Sequence, residues 1–548
     1  EGLHLWSSAR ALCKMGGPNS PNEKVCICEG WTEDWSHVGP IDPGPGLDRE
    51  WLQQFPLSTK GRYVMNARGQ RFRLLGVNWY GASDVEHVVG GLNVQSLEVI
   101  CRTVRDLGFN IVRLPFSNEM LRSQVRVEAV DWNKNPELRG MDALEVYDEV
   151  VRCLGRHGVA VIVNNHTTYG EFCGPPSKNS LWFDPDGPFS EEQWMADWVM
   201  MATRYSRCPH VVGFDLRNEI RPRLSLWPCW GSGGISNVRG RRDWAIAARA
   251  AADLILGVNP GALIVVERIV WPQDSLHRYA ACPGPLLPDL AGRLVLGVHV
   301  YSWSGPGRFV PRWSIPKRWS WAVDALRSLG VITKTNYGDM CRQALMKQMQ
   351  QEWGRILEAD ICPVWVSEFG ADHSNPGEMQ WMEDIVHVMG AMEADWAYWP
   401  LNAGPKPSCG SDEAYGMLNP NWTRKVKVDR RLKMLEGIGL VPPLTATTDP
   451  EMGPESPMKM RDQRSLFADK DPLRGMKHPS VPDIRMLLLP PRLHLPDFRR
   501  KPQRGRISSS SAPNFPLLLE RAKEEVGTPI RRVCSSEVHF TSSEPTFL

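Results

Sequence analysis

Between residues 60 and 440, short runs of apolar residues alternate with longer amphipathic stretches, and this alternation constrains the fold more than any other feature of the chain. The runs begin near residues 72, 110, 159, 211, 262, 294, 363 and 395. NIVRLPF, VAVIVNNH and ALIVVE are apolar at consecutive positions rather than at every second one, as strands are when both faces are covered. Stretches between them, such as VQSLEVICRTVRDLG, ALEVYDEVVRCLGRHG and EEQWMADWVMMATRYS, repeat apolar residues at helical intervals. His157-Gly158 and Asn259-Pro260 supply helix stops. Eight strand–helix units predict an α/β chain closed into a (β/α)8 TIM barrel. An open doubly wound sheet is the alternative. It calls for a glycine-rich phosphate turn after the first strand, and GVNWYG lacks the GxGxxG spacing.

The rest of the 548 residues differs in character. Residues 1–59 read as an irregular leader or part of an upstream module, with GPIDPGPG as a linker. Residues 60–440 read as the catalytic barrel, and residues 441–548 as a low-complexity, disordered tail in which RRKPQRGR is followed by a serine run. A net charge of +2 gives no basic field for nucleic acid, and the tail has no interleaved aromatics. No uninterrupted apolar run is long enough to cross a bilayer. The first residue is Glu, which suggests a removed signal peptide or a piece of a longer chain. Cys173 and Cys229, both in expected loops, are candidates for a disulfide, and most of the other cysteines read as buried small residues. Of 23 tryptophans, Trp182, Trp227, Trp230, Trp303, Trp313 and Trp319 fall in loop-like contexts where an aromatic face could meet a sugar ring.

Barrel chemistry gathers at the C-terminal ends of the strands. There the chain offers Asn78 and Trp79, Arg113, Asn165 and His166, Asn218 and Glu219, His299 and Tyr301, Glu368, and Trp399. Each alone has a structural explanation, but together they would line one cavity, and an apolar barrel mouth needs no such set. Glu219 and Glu368 would face each other from strands four and seven. Glycosidic bond cleavage needs such a pair, one carboxyl to donate a proton and one to attack the anomeric carbon. Arg113 and Tyr301 would hold Glu368 ionised, which suits a nucleophile. Glu219, beside Asn218 and within expected reach of His299, would stay protonated and act as acid and then base. Asn218 could bind the sugar 2-hydroxyl, and Trp399 could form a floor beneath the ring.

These residues resemble glycoside hydrolase family 5. The pattern is VRLPF, VNNH, DLRNE, HVYS, VSEFG and WAYWPL in this order, closed by YGMLNPNW at 415–422. The resemblance implies a retaining mechanism with Glu219 as acid/base and Glu368 as nucleophile. It also implies substrate contacts from Arg113, His166, Asn218, His299, Tyr301 and Trp399. It is most similar to secreted cellulase-like members acting on β-1,4-glucan, so the expected substrate is a polysaccharide and the expected location extracellular or in the secretory pathway. A β-mannanase or other β-glycanase is the alternative, and a catalytically silent carbohydrate-binding barrel is the rival of another class. The loop after strand three departs from the family, with Cys173 alone where relatives often carry paired cysteines. The insertion at 302–336 has no counterpart and is expected to be a lid or a wall of the cleft. No cofactor and no metal are expected, since neither HExxH nor zinc-type cysteine spacing occurs. Asn165-His166-Thr167 is a sequon inside the expected site, which leaves Asn421-Trp422-Thr423 as the fairer acceptor for a glycan.

Overall fold

A computed structural model describes residues 35, 37–171, 178–221, 227–230, 241–269, 287, 290, 292–302, 342–404, 413–423 and 429–442. Within them eight parallel strands close into a barrel. They are β1 (Leu75–Asn78), β2 (Ile111–Ser117), β3 (Ala160–Thr167), β4 (Val211–Asp215), β5 (Leu263–Glu267), β6 (Leu294–His299), β7 (Val364–Phe369) and β8 (Asp395–Tyr398). Each strand pairs with its sequence neighbours, and β8 pairs back onto β1 through Trp396↔Leu75 and Tyr398↔Val77. All residues of all eight strands are buried, which is why they are apolar without alternation.

The helices form where apolar periodicity meets a cap. α1 (Leu97–Asp106) starts at Ser96, whose side chain accepts from the Val99 N–H. α2 (Ala143–Arg156) opens with a capping box between Asp142 and Glu145. It stops at His157, and Gly158 follows in the left-handed region at φ +68°. α3 (Glu191–Arg204) and α4 (Trp244–Val258) follow β3 and β4. α5 (Arg342–Met349) runs on through a π-helical turn at Gln350–Gly354 into Arg355–Glu358. α6 (Pro376–Ala391) begins with proline just after its Asn375 cap, and α7 (Arg430–Glu436) closes the described chain.

At the N-terminal end of the barrel, Phe55, Leu57, Val64, Phe72 and Leu74 pack onto Ile111, Ile162, Val265, Val295 and Trp365. A hairpin of Ser58–Lys60 and Tyr63–Met65 carries part of this plug. The barrel's packing therefore starts upstream of residue 60. Phe72 and Leu74 belong to the plug, so β1 begins at Leu75 rather than near residue 72.

One expectation about tryptophan changes. Trp182 is 1 % exposed, packs against Trp244 and donates to Glu191 Oε1, so it is core and not a sugar platform. Trp230 is partly buried against the same core. Trp303, Trp313, Trp319, Cys173 and nearly all of the insertion at 302–336 lie outside the described residues, as does the tail beyond residue 442. Among the described residues no helix is long and apolar enough to cross a membrane.

Candidate active site

Arg113, on β2, organises the C-terminal end of the barrel. Its side chain is fully buried, and all five of its N–H donors are used. Nε donates to Asp215 Oδ2 at 2.7 Å, and Nη1 donates to Asn78 Oδ1 at 3.0 Å and Glu368 Oε1 at 2.6 Å. Nη2 donates to Asn218 Oδ1 at 3.0 Å and Glu267 Oε1 at 2.6 Å. From the sequence, Arg113 was expected to contact substrate. With no donor to spare and no exposed surface, it acts by holding the groups around it.

Glu368 lies on β7 between Val366 and Phe369, where the pairing with β8 slips register and turns side chains at the strand end. One oxygen takes the Arg113 bond and the other accepts from Tyr301 Oη at 2.9 Å. Both contacts fix the direction of the carboxylate.

Glu219 lies four residues beyond the end of β4, and its backbone is turned to φ +39°. A non-glycine residue in that region stores strain, which the surroundings must balance. Here the Glu219 N–H donates to Glu267 Oε2 at 2.9 Å. Its carboxylate, with 11 % of the side chain exposed, meets His299 Nδ1 at 2.9 Å and is ion-paired with Arg221. Glu219, His299 and Glu368 each place an atom within 4.8 Å of the others.

His299 also lies 3.5 Å from Glu368 Oε2 and 3.4 Å from Glu267 Oε1, so it bridges three carboxyl groups. His166 is buried, and that desolvation, with Arg113 nearby, pushes its pKa well below the usual imidazole range. It is neutral, with Nδ1 2.9 Å from Asn164 Oδ1; the Nδ1–H tautomer leaves Nε2 as an acceptor. Asn218 Nδ2 is buried without a hydrogen-bond partner among the described residues, a costly state for a donor unless a ligand completes it. Trp399 stacks with Tyr80 at 5.2 Å and with His166 at 5.5 Å between ring centroids. Tyr80, Tyr301 and Trp399 form an apolar cluster with Tyr415 at its edge.

A family model described as cellulase, glycosyl hydrolase family 5, matches residues 65–405. The chain belongs to glycosyl hydrolase family 5. It is an O-glycosyl hydrolase of the cellulase family on a TIM barrel. It is 30 % identical over 378 residues to an endoglucanase of Paenibacillus polymyxa, covering 67 % of this chain and 83 % of that one. It is 32 % identical over 263 residues to the major extracellular endoglucanase of Xanthomonas campestris pv. campestris, covering 46 % of this chain and 50 % of that one. A solved complex of a variant Pyrococcus horikoshii endocellulase with cellotetraose superposes with a TM-score of 0.53 at 25 % identity, over 70 % of this chain and 98 % of that one.

In this family 5 hydrolase Glu219, Glu368, Asn218, His299, Tyr301 and Arg113 are linked by direct hydrogen bonds and close polar contacts. His166 joins them through Trp399. Asn165, adjacent to His166, is fully buried and faces α3, where it accepts from Trp194 Nε1. Asn78 ties strands together by donating to the Ser367 and Tyr398 carbonyls, and Trp79 is packed out of reach with Nε1 on the Gly90 carbonyl. The sequence reading missed Asp215, Glu267 and Arg221. Glu267 had a visible signal: LIVVE is an apolar run that ends in a lone acid, as VWVSEF nearly does. Asp215 and Arg221 had none, because each is defined by its partner.

Proposed function

We propose that this glycoside hydrolase is a retaining endo-β-1,4-glucanase in which Glu368 is the nucleophile and Glu219 the acid/base. The observation that carries this reading is the approach of the Glu219 and Glu368 oxygens to within 4.8 Å. Retaining enzymes set their two carboxyl groups about 5–5.5 Å apart, and inverting ones need about 6.5–9.5 Å to admit a water between.

In the first step a Glu368 oxygen bonds to the anomeric carbon as the bond to the leaving sugar oxygen breaks. The Glu219 proton passes to that oxygen. Arg113 and Tyr301 aim the nucleophile and spread its charge. In the second step Glu219, now a base, takes a proton from water. The hydroxide adds to the anomeric carbon and Glu368 leaves. The Arg221 contact suits this second role. The uncommitted Asn218 Nδ2–H donates to the 2-hydroxyl, His166 Nε2 accepts from a neighbouring hydroxyl, and Trp399 lies beneath the ring.

The endoglucanase relatives support β-1,4-glucan as substrate. An extracellular location is supported by the relative named as an extracellular endoglucanase and by Asn421, exposed in a turn where a glycan could attach. The domain limits proposed are a leader through residue 59, the hydrolase over 60–440 and a tail from 441.

Proton NMR of cellotetraose hydrolysis tests the reading. The β-anomer of the new reducing end should form first and then mutarotate, and Glu368→Gln and Glu219→Gln should each remove activity while leaving the thermal transition in place. Initial release of the α-anomer, or near-full activity in either variant on every β-glucan tried, would overturn it.

A further inference from the structure

We propose that Glu98, Cys101, Cys153 and His157 form a binding site for a borderline-soft divalent cation, zinc foremost, on the flank of the barrel between α1 and α2. Glu98 and Cys101 are three residues apart on α1, so they share a face. Cys153 and His157 are four apart on α2 and at its C-cap, so they share a face as well. The two faces meet. His157 Nε2 lies 2.8 Å from Glu98 Oε1, and Cys153 Sγ lies 3.5 Å from Glu98 Oε2. One donor atom from each of Glu98, Cys153 and His157 falls within 4.8 Å of the other two. Cys101, buried and one turn from Glu98 on the same face of α1, stands outside that trio and is assigned as the fourth donor.

Two sulfurs, one imidazole and one carboxylate are a donor set that zinc takes readily. With bonds of about 2.3 Å to sulfur and about 2.0–2.2 Å to nitrogen and oxygen, tetrahedral neighbours stand about 3.3–3.8 Å apart. The Cys153–Glu98 spacing of 3.5 Å already fits, and the His157–Glu98 spacing of 2.8 Å has to open slightly. Both cysteines are fully buried, which keeps competing ligands away from the sulfurs, while His157 and Glu98 reach the surface and give the ion a way in. Among the described residues, the cation in the way is Arg156, with Nη2 3.8 Å from Glu98 Oε2 and a third of its side chain exposed, so that it can turn outward. A search along the chain for zinc-type cysteine spacing cannot find this set, because Cys153 and Glu98 lie 55 positions apart.

The test uses the full chain, kept reduced with a non-chelating phosphine and stripped with a chelator. It is titrated with Co2+ and then with Zn2+. One equivalent of Co2+ should give the visible bands of a tetrahedral site and a thiolate-to-cobalt band in the near ultraviolet, both bleached by Zn2+. His157→Ala and Cys153→Ser should each weaken binding by about 100-fold or more, and Zn2+ should raise the unfolding temperature of the wild type but not of His157→Ala. His157 is at a helix end and partly exposed, so its variant remains folded and keeps the comparison meaningful. Absence of a saturable thiolate band in the wild type would overturn the site. So would an unchanged band in His157→Ala, or peptide mapping of unreduced protein that finds Cys101 and Cys153 joined to each other.

Discussion

Asp215 and Glu267 both face the one Arg113 cation, and they respond to it in opposite ways. Burial, reinforced by the charge of Glu267, pushes Asp215 up to about 8. Burial pushes Glu267 the same way, but His299 and Arg113 outweigh it and hold that carboxyl below its ordinary range. Asp215 is therefore the protonated member at neutral pH. The raised group contributes stability in full below the unfolded value of 3.8 and loses it as the pH rises through about 8. Asp215→Asn mimics the neutral acid, so it should keep most of the activity and lack that decline. Thermal unfolding of wild type and variant between these limits checks it, and parallel curves would refute the assignment. Glu267→Gln should behave differently. It loosens Arg113, His299 and the strained Glu219 backbone together, so kcat should fall by about 100-fold, the size of effect expected when reacting groups are misplaced by an ångström.

Glu219 and Glu368 stood out in the sequence because each follows a largely apolar run, although Glu219 lies in the loop four residues beyond β4. Glu267 meets the same criterion, and only the lack of a second polar residue beside it hid it. The ion pair to Arg221 was not legible, since it depends on the turn that carries the chain past Glu219 into positive φ.

At the scale of elements, the strand and helix order followed from periodicity because every strand is covered on both faces. The ends were less legible. HVVGFDLRNE reads as one strand, yet β4 stops at Asp215, and the Asn218–Glu219 pair sits in the loop beyond it. The reason is tertiary: Leu216 N–H donates to Val265 O and Asn218 N–H to Asn165 O, contacts from two different neighbours that no single ladder accounts for. Helix starts were legible where a cap was present, and α2 is the clearest case. Asp142→Ala removes the capping box and should cost about 1 kcal/mol of stability with kcat unchanged, measured by denaturant unfolding and a standard assay. An equal loss of kcat would mean that α2 is coupled to the site.

At the scale of the whole molecule, α7 fastens the last described segment to the barrel. Arg431 is fully buried and donates to the carbonyls of Ala371, Tyr415 and Gly416 and to Tyr398 Oη. It locks the segment after β8 against the loop after β7. Ending the chain after Pro442 should leave activity and unfolding temperature unchanged, whereas ending it before Asp429 should lower both. Loss of activity in the longer form would make the tail part of the enzyme.

The cluster around Arg113 has a final consequence. Arg113 is bonded to both Glu267 and Glu368, and His299 lies beside the same two carboxyl groups. The dipoles of the barrel mouth are thus fixed in place before any sugar arrives. A pyranose ring gathers positive character as its bond to the neighbouring unit stretches, so it moves into a field already oriented to receive it, and little dipolar rearrangement is left for the moment of cleavage.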